Sequence, residues 1–135
     1  MLPGLLLAAF LLGHATIHAS FLAPRPPATA GGPAWPFELG RSWILTPIGL
    51  QPDLTRILGM ALVALTVGGF ALAVIAELGL LPAGLWPPAA AAGAVASLAL
   101  LLLFFHPWLV LGIAIDIGLL WAVLVAGWTP PGTAV

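Results

Sequence analysis

The chain has 135 residues, 62% of them hydrophobic and 5% charged, with a formal net charge of −1 and a mean hydropathy of +1.21. A soluble domain carries about 25% charged residues to keep its surface wet, so three basic and four acidic side chains exclude an ordinary soluble enzyme or a disordered chain. Three arginines without a lysine form no phosphate-binding patch, which excludes a nucleic-acid partner, and the lack of cysteine excludes disulfides, thiolate metal sites and thiol nucleophiles.

An integral membrane protein remains, with the lipid bilayer as its partner. A helix crossing the hydrocarbon core needs about 20 mostly apolar residues, and four stretches qualify. The first span covers about 2–22 and is closed by Ala23 and Pro24. The triplet His18-Ala19-Ser20 loosely resembles a signal-peptidase site, but no basic segment precedes the apolar run and two histidines interrupt it. The expectation is therefore a retained helix rather than a cleaved signal peptide.

Residues 23–53 hold seven prolines, Gly31, Gly32, Gly40 and the cations Arg25 and Arg41, so this stretch is too polar and too broken to span. Within it, 37–45 reads either as a short interfacial helix anchored by Trp35, Phe37 and Trp43, or as an irregular loop resting on the bundle's end. Glu38 and Arg41, three residues apart, are positioned to pair there. The second span, 54–81, starts after Pro52 with Asp53 as its expected N-cap. The third, 88–105, follows Trp86-Pro87-Pro88 with proline in its favoured first-turn place. The fourth, 108–128, precedes Thr129-Pro130-Pro131.

Of 14 prolines, all but Pro3 fall in the connections, their junctions or the tail, where a missing amide donor needs no compensation in lipid. Trp86, Trp108 and Trp128 stand at span ends, the level an amphipathic ring prefers, whereas Trp121 lies inside the fourth span. The second and third spans are joined by a few residues around Leu81-Pro82-Ala83-Gly84, and the third and fourth by little more than His106-Pro107. Connections this short imply antiparallel neighbours, so the expected fold is all-α: an up-down-up-down four-helix bundle forming a single transmembrane domain over 1–135. Arg25, Arg41 and Arg56 all flank the first connection, and the positive-inside bias puts it in the cytoplasm with both termini outside. The pairs Ala64/Gly68 and Ala114/Gly118 have the spacing that lets helix backbones approach, and are read as packing within the bundle.

Ionisable groups in lipid cost several kcal/mol unless satisfied. Asp116 is the clear case, eight residues after Trp108 and twelve before Trp128. The first span carries His14 and His18, whose spacing puts both on one helical face. His14 stands eight residues from Leu22, so at about 1.5 Å per residue both His14 and Asp116 lie about 12 Å from the same surface. Thr66 and Ser97 fall at nearly the same depth. The sharpest expectation is a polar layer of His14, Asp116, Thr66 and Ser97, with His14 paired to Asp116.

Three readings of that layer compete. The groups satisfy each other and fix which helix faces which; or an imidazole beside a carboxylate handles a proton or ligand near neutrality; or His14, His18 and Asp116 hold a divalent metal as a two-histidine, one-carboxylate site. No other cofactor is expected. Haem wants histidines from different spans at matching depth, and His106, at a boundary beside Pro107, reads as an interfacial residue. Glu77, near the end of the second span, reads as a hydrated end-of-helix carboxylate. No nucleotide loop, nucleophile elbow or zinc-protease motif is present. Composition therefore favours a small polytopic, non-enzymatic bundle, a homo-oligomer or a subunit of a larger membrane complex. The alternative is a small transporter or a membrane-embedded metal or proton site on His14, His18 and Asp116.

Overall fold

The computed structural model describes residues 2–27, 30–32 and 35–130; Pro33 and Pro131 of the connection and tail lie outside these. It is all-helical, with no strand among the described residues. We number the helices α1 (Leu2–Ala19), α2 (Pro52–Glu77), α3 (Trp86–Leu103) and α4 (Val110–Leu120). Short 3-10 turns extend α1 to Leu22 and precede α3 and α4, and a π turn, Trp121–Val125, continues α4. Counted with these turns, all four helical stretches (Leu2–Leu22, Pro52–Glu77, Ala83–Leu103 and Pro107–Val125) are long and apolar enough to cross a membrane.

The helix ends follow local chemistry. Pro52 takes the first helical position of α2 and Gln51 caps it, so Asp53 falls in the first turn instead of being the N-cap. At the other end α2 stops at Glu77, four residues short of the expected boundary. Gly79 has φ +73°, the Gly79 amide donates to the Ala76 carbonyl at 3.0 Å, and that of Leu80 donates to Ile75 at 3.1 Å. These two bonds make a Schellman motif, which needs glycine in the left-handed region and satisfies carbonyls the helix end leaves free.

Of the two forms read for 37–45, the structure takes the irregular one, a series of turns running on to Gly49. The segment is tied to the end of α3: Ser42 Oγ donates to the Leu103 carbonyl at 2.5 Å and Trp43 Nε1 to that of Leu102 at 2.7 Å. Both acceptors belong to the last turn of α3, whose carbonyls have no partner within the helix. Glu38 pairs with Arg25 at 3.6 Å rather than with Arg41, and its Oε1 accepts the Gly40 amide at 2.9 Å. With no helix here, a spacing of three no longer brings 38 and 41 onto one face.

Helix packing runs in sequence order. The largest interface joins α2 to α3, with smaller ones between α1 and α2 and between α3 and α4. At the α2–α3 crossing a Cβ on Gly69 would lie 2.6 Å from the Gly93 backbone, and one on Gly93 would lie 3.0 Å from the Phe70 nitrogen. Only glycine at both positions lets the backbones approach this closely. The pairs Ala64/Gly68 and Ala114/Gly118, by contrast, face outward, and a Cβ on Gly68 or Gly118 meets nothing within 4 Å. Close spacing was the right signal at the wrong positions, because it does not say which side of a helix faces a neighbour.

Two apolar clusters fill the interior. One gathers Leu11 of α1, Phe70 and Val74 of α2, Trp86 and Ala90 of α3, and Val123. The other gathers Phe21, Leu39 of the connection, Val63, Leu100, Phe104 and Leu109. Trp86, at the start of α3, is fully buried in the first cluster, edge-on to Trp128 at 5.5 Å. That cluster is rich in alanine, and a large ring at the start of α3 fills the space alanines leave. On their helices His14, His18, Thr66, Ser97 and Asp116 lie in sequence between members of the two clusters.

Candidate metal centre

Between the apolar clusters stand His14 and His18 from α1, Thr66 from α2, Ser97 from α3 and Asp116 from α4, all buried. Four hydrogen-bonding contacts close a ring through most of them. His14 Nε2 lies 2.9 Å from Asp116 Oδ1 and 3.2 Å from His18 Nε2. His18 Nε2 lies 2.8 Å from Ser97 Oγ, and the Ser97 hydroxyl donates to Asp116 Oδ2. The His14 ring is also edge-on to Phe70, centroids 5.3 Å apart, which fixes its position from the α2 side.

The structure therefore brings together His14, Ser97 and Asp116 of the expected polar layer and His18 of the expected metal trio. The side chains of His14 and His18 are neighbours on one helix face, their rings edge-on with centroids 4.6 Å apart. Thr66 lies in the same layer but joins no bond of the ring, and its Oγ1 is buried without a partner. His106 lies apart from the group: its Nδ1 accepts the Trp108 amide at 3.3 Å, and its ring is edge-on to Trp108 at 6.0 Å. Glu77, read as hydrated, is half-buried, with Oε2 shielded and unpartnered. Gly4 of α1 presses against it, since a Cβ at Gly4 would lie 2.5 Å from Glu77 Oε1.

Counting hydrogens shows that the ring of four contacts does not satisfy itself. An imidazole nitrogen carries one hydrogen or one lone pair in the ring plane, so it donates or accepts but does not do both. With an ionised Asp116, both His14 and Ser97 donate to the carboxylate. His18 Nε2 then donates to Ser97, and the 3.2 Å His14–His18 contact is left with two N–H groups facing each other. A protonated carboxyl group resolves this only by sharing the His14 hydrogen between two acceptors. It also moves the His18 hydrogen to Nδ1, which is buried with no partner. Either arrangement leaves a buried polar group short of a bond, at a cost of about 1–3 kcal/mol.

A metal ion would remove the competition at Nε2, because lone pairs that compete for hydrogens would converge on a cation, while the His18 hydrogen would still sit on the unpartnered Nδ1. One ligand atom from each of His14, His18 and Asp116 lies within 4.8 Å of the others, and all three residues are buried. For metal–nitrogen bonds of about 2.0–2.1 Å, neighbouring ligands sit about 2.9 Å apart at a right angle and about 3.3 Å apart at a tetrahedral one. Two of the three edges, 2.9 and 3.2 Å, fall in that interval, and the third, between His18 and Asp116, lies within 4.8 Å. Ser97, hydrogen-bonded to the other carboxylate oxygen, is placed to hold Asp116 with Oδ1 toward the histidines, the outer-shell role that metal ligands generally require. Comparison with protein-family models, curated proteins and solved structures finds no match for this chain, so the site is read on its own geometry.

Proposed function

We propose that the chain is a four-span integral membrane protein whose interior holds a divalent first-row transition metal on His14, His18 and Asp116, with Ser97 positioning the carboxylate. The observation that carries the reading is the convergence of three buried ligand atoms within 4.8 Å, contributed by the first and last helices. Two imidazoles and one carboxylate suit zinc, iron(II) and their neighbours, and the two-histidine, one-carboxylate set leaves coordination positions open for a further ligand. A site of this kind offers Lewis-acid or ligand-binding chemistry within the bundle.

Membrane insertion is supported by the distribution of charge and apolar surface. Across the central part of all four helices Asp116 is the one residue with a formal charge, and it is fully buried. Large apolar side chains such as Leu6, Ile17, Leu65, Leu111 and Leu124 are more than half exposed, the arrangement expected where the solvent is hydrocarbon. The up-down-up-down course follows from the two short connections and from the matched depth of His14 and Asp116. Arg25, Arg41 and Arg56 place the 23–53 connection on the cytoplasmic side.

The test is metal analysis of the detergent-purified protein after chelation and reloading with zinc or iron(II). The expected result is about one ion per chain, lost in His14→Ala and in His18→Ala with the helical content retained. A metal-free wild type whose reloading matches that of both variants refutes the reading and leaves a hydrogen-bonded clasp joining α1, α3 and α4. Orientation is read separately. The chain has no cysteine, so single cysteines introduced at positions 25 and 84 report sidedness by labelling, with position 25 reacting from the cytoplasmic face and position 84 from the other.

A further inference from the structure

The interfaces run α1–α2, α2–α3 and α3–α4, while α1 and α4 meet only along a thin seam. The bundle is thus closed on three sides, and on the fourth the His14–Asp116 contact reaches across. Beside that contact lies a cavity of about 110 Å³. His14 and His18 form its polar side, and Ile17, Phe21, Leu101 and Ile115 are among its apolar walls; no Asp, Glu, Lys or Arg lines it. Ile17 is 53% exposed and Trp108 66% exposed, so both stand at the mouth, on the outer surface of the bundle. Gly112 keeps the α4 side open, because a Cβ there would meet Leu101 Cδ1 at 2.9 Å and His14 Cε1 at 3.9 Å.

We infer that the α1–α4 seam is a lateral entrance from the bilayer to the His14/His18/Asp116 centre. The ligand that uses it is a small, uncharged, lipid-soluble molecule with one donor atom to present to the centre. The inference rests on the metal reading for the donor atom but not for the entrance. Size follows from the cavity: an apolar cavity of about 150 Å³ is known to hold benzene, so about 110 Å³ admits a five-membered ring or a molecule of similar bulk. Charge follows from the entrance, whose walls between the mouth and the two histidines hold no Asp, Glu, Lys or Arg, so an ion would lose its hydration on the way in with nothing there to replace it. Direction follows from the mouth. It opens level with residues 14–18 of α1, about 6 to 12 Å from the surface by helical rise, with Trp108 on its interfacial side and Ile17 facing hydrocarbon in the inserted protein.

The probe is 4-fluoropyrazole, neutral and ring-sized, followed by fluorine NMR in proteoliposomes holding the full chain with and without cobalt(II). The expected result is saturable broadening of the probe signal in both forms, and a paramagnetic shift in the cobalt-loaded one. Ile17→Trp, which fills the mouth from a lipid-facing position, weakens that binding at least about tenfold. Leu6→Trp, equally exposed but away from the cavity, leaves it unchanged and controls for added bulk on α1. Azide, small but charged, neither competes with the probe nor alters its shift. Saturable binding without a paramagnetic shift retains the entrance and overturns the metal reading. Cobalt-loaded protein with no saturable binding, or binding that Ile17→Trp does not weaken, overturns the entrance while the metal reading stands. Competition by azide equal to that of unlabelled pyrazole also overturns it, since it indicates entry from water.

Discussion

Replacing Asp116 with asparagine separates a metal centre from a hydrogen-bonded clasp, because the amide serves one role well and the other badly. Asparagine keeps the volume of a fully buried side chain. Its carbonyl oxygen accepts from His14, and its NH2 donates to Ser97, whose hydroxyl is then free to donate to His18. The ring keeps three hydrogen bonds, as many as with the ionised carboxylate, with the His18 hydrogen now on Nδ1. Interhelical polar contacts in membranes contribute about 0.6 kcal/mol on average, so metal-free Asp116→Asn is expected within about that margin of the parent. Asp116→Leu leaves His14 and Ser97 unsatisfied and costs about 1–3 kcal/mol.

Metal reverses the ranking. At an ion concentration one hundred times its Kd the parent gains about 2.7 kcal/mol. Changes to residues that merely orient a ligand weaken metal binding about 10–100-fold, so loss of the charged ligand itself lowers affinity by at least about 100-fold. At the same ion concentration Asp116→Asn then gains only about 0.4 kcal/mol. The assay is thermal unfolding in detergent, followed by circular dichroism, with and without zinc. The reasoning is refuted if zinc stabilises parent and Asp116→Asn equally, or if metal-free Asp116→Asn is as unstable as Asp116→Leu.

Other consequences follow from the same contacts. Ser97→Ala removes the group that orients the carboxylate and is expected to weaken zinc binding about 10–100-fold without abolishing it, measured by competition with a chromogenic chelator. Gly69→Val forces apart the α2–α3 crossing and costs at least about 1–3 kcal/mol, whereas Gly68→Ala, one residue away on an open face, is neutral or gains up to about 1 kcal/mol from helix propensity; equal melting temperatures for the two would refute the crossing. Combining Ser42→Ala with Trp43→Phe frees the connection from the end of α3, at about 1 kcal/mol per lost bond, and faster proteolysis within 35–51 reports it. Glu77→Gln is expected to leave zinc binding unchanged, because Glu77 takes no part in the His14/Asp116 ring, and isothermal titration checks it.

The four apolar stretches and their proline punctuation were legible in the sequence because both depend on local chemistry: helix length in hydrocarbon, and an amide that proline lacks. Even the end of α2 had a local signal, since Gly79 two residues after Glu77 marks a Schellman cap, but an unbroken apolar run masked it. The alignment in depth of His14 and Asp116 was also readable, because rise per residue is a constant of the helix. Rotation about each helix axis is not such a constant. It decides that Gly69 and Gly93 meet while Ala64 and Gly68 face outward, that Trp86 turns into the interior, and that Thr66 stays out of the polar ring. It also swings His18 onto Ser97 and leaves an open seam between α1 and α4. These are set by how side chains from helices far apart in sequence fit together, so tertiary packing alone settles them.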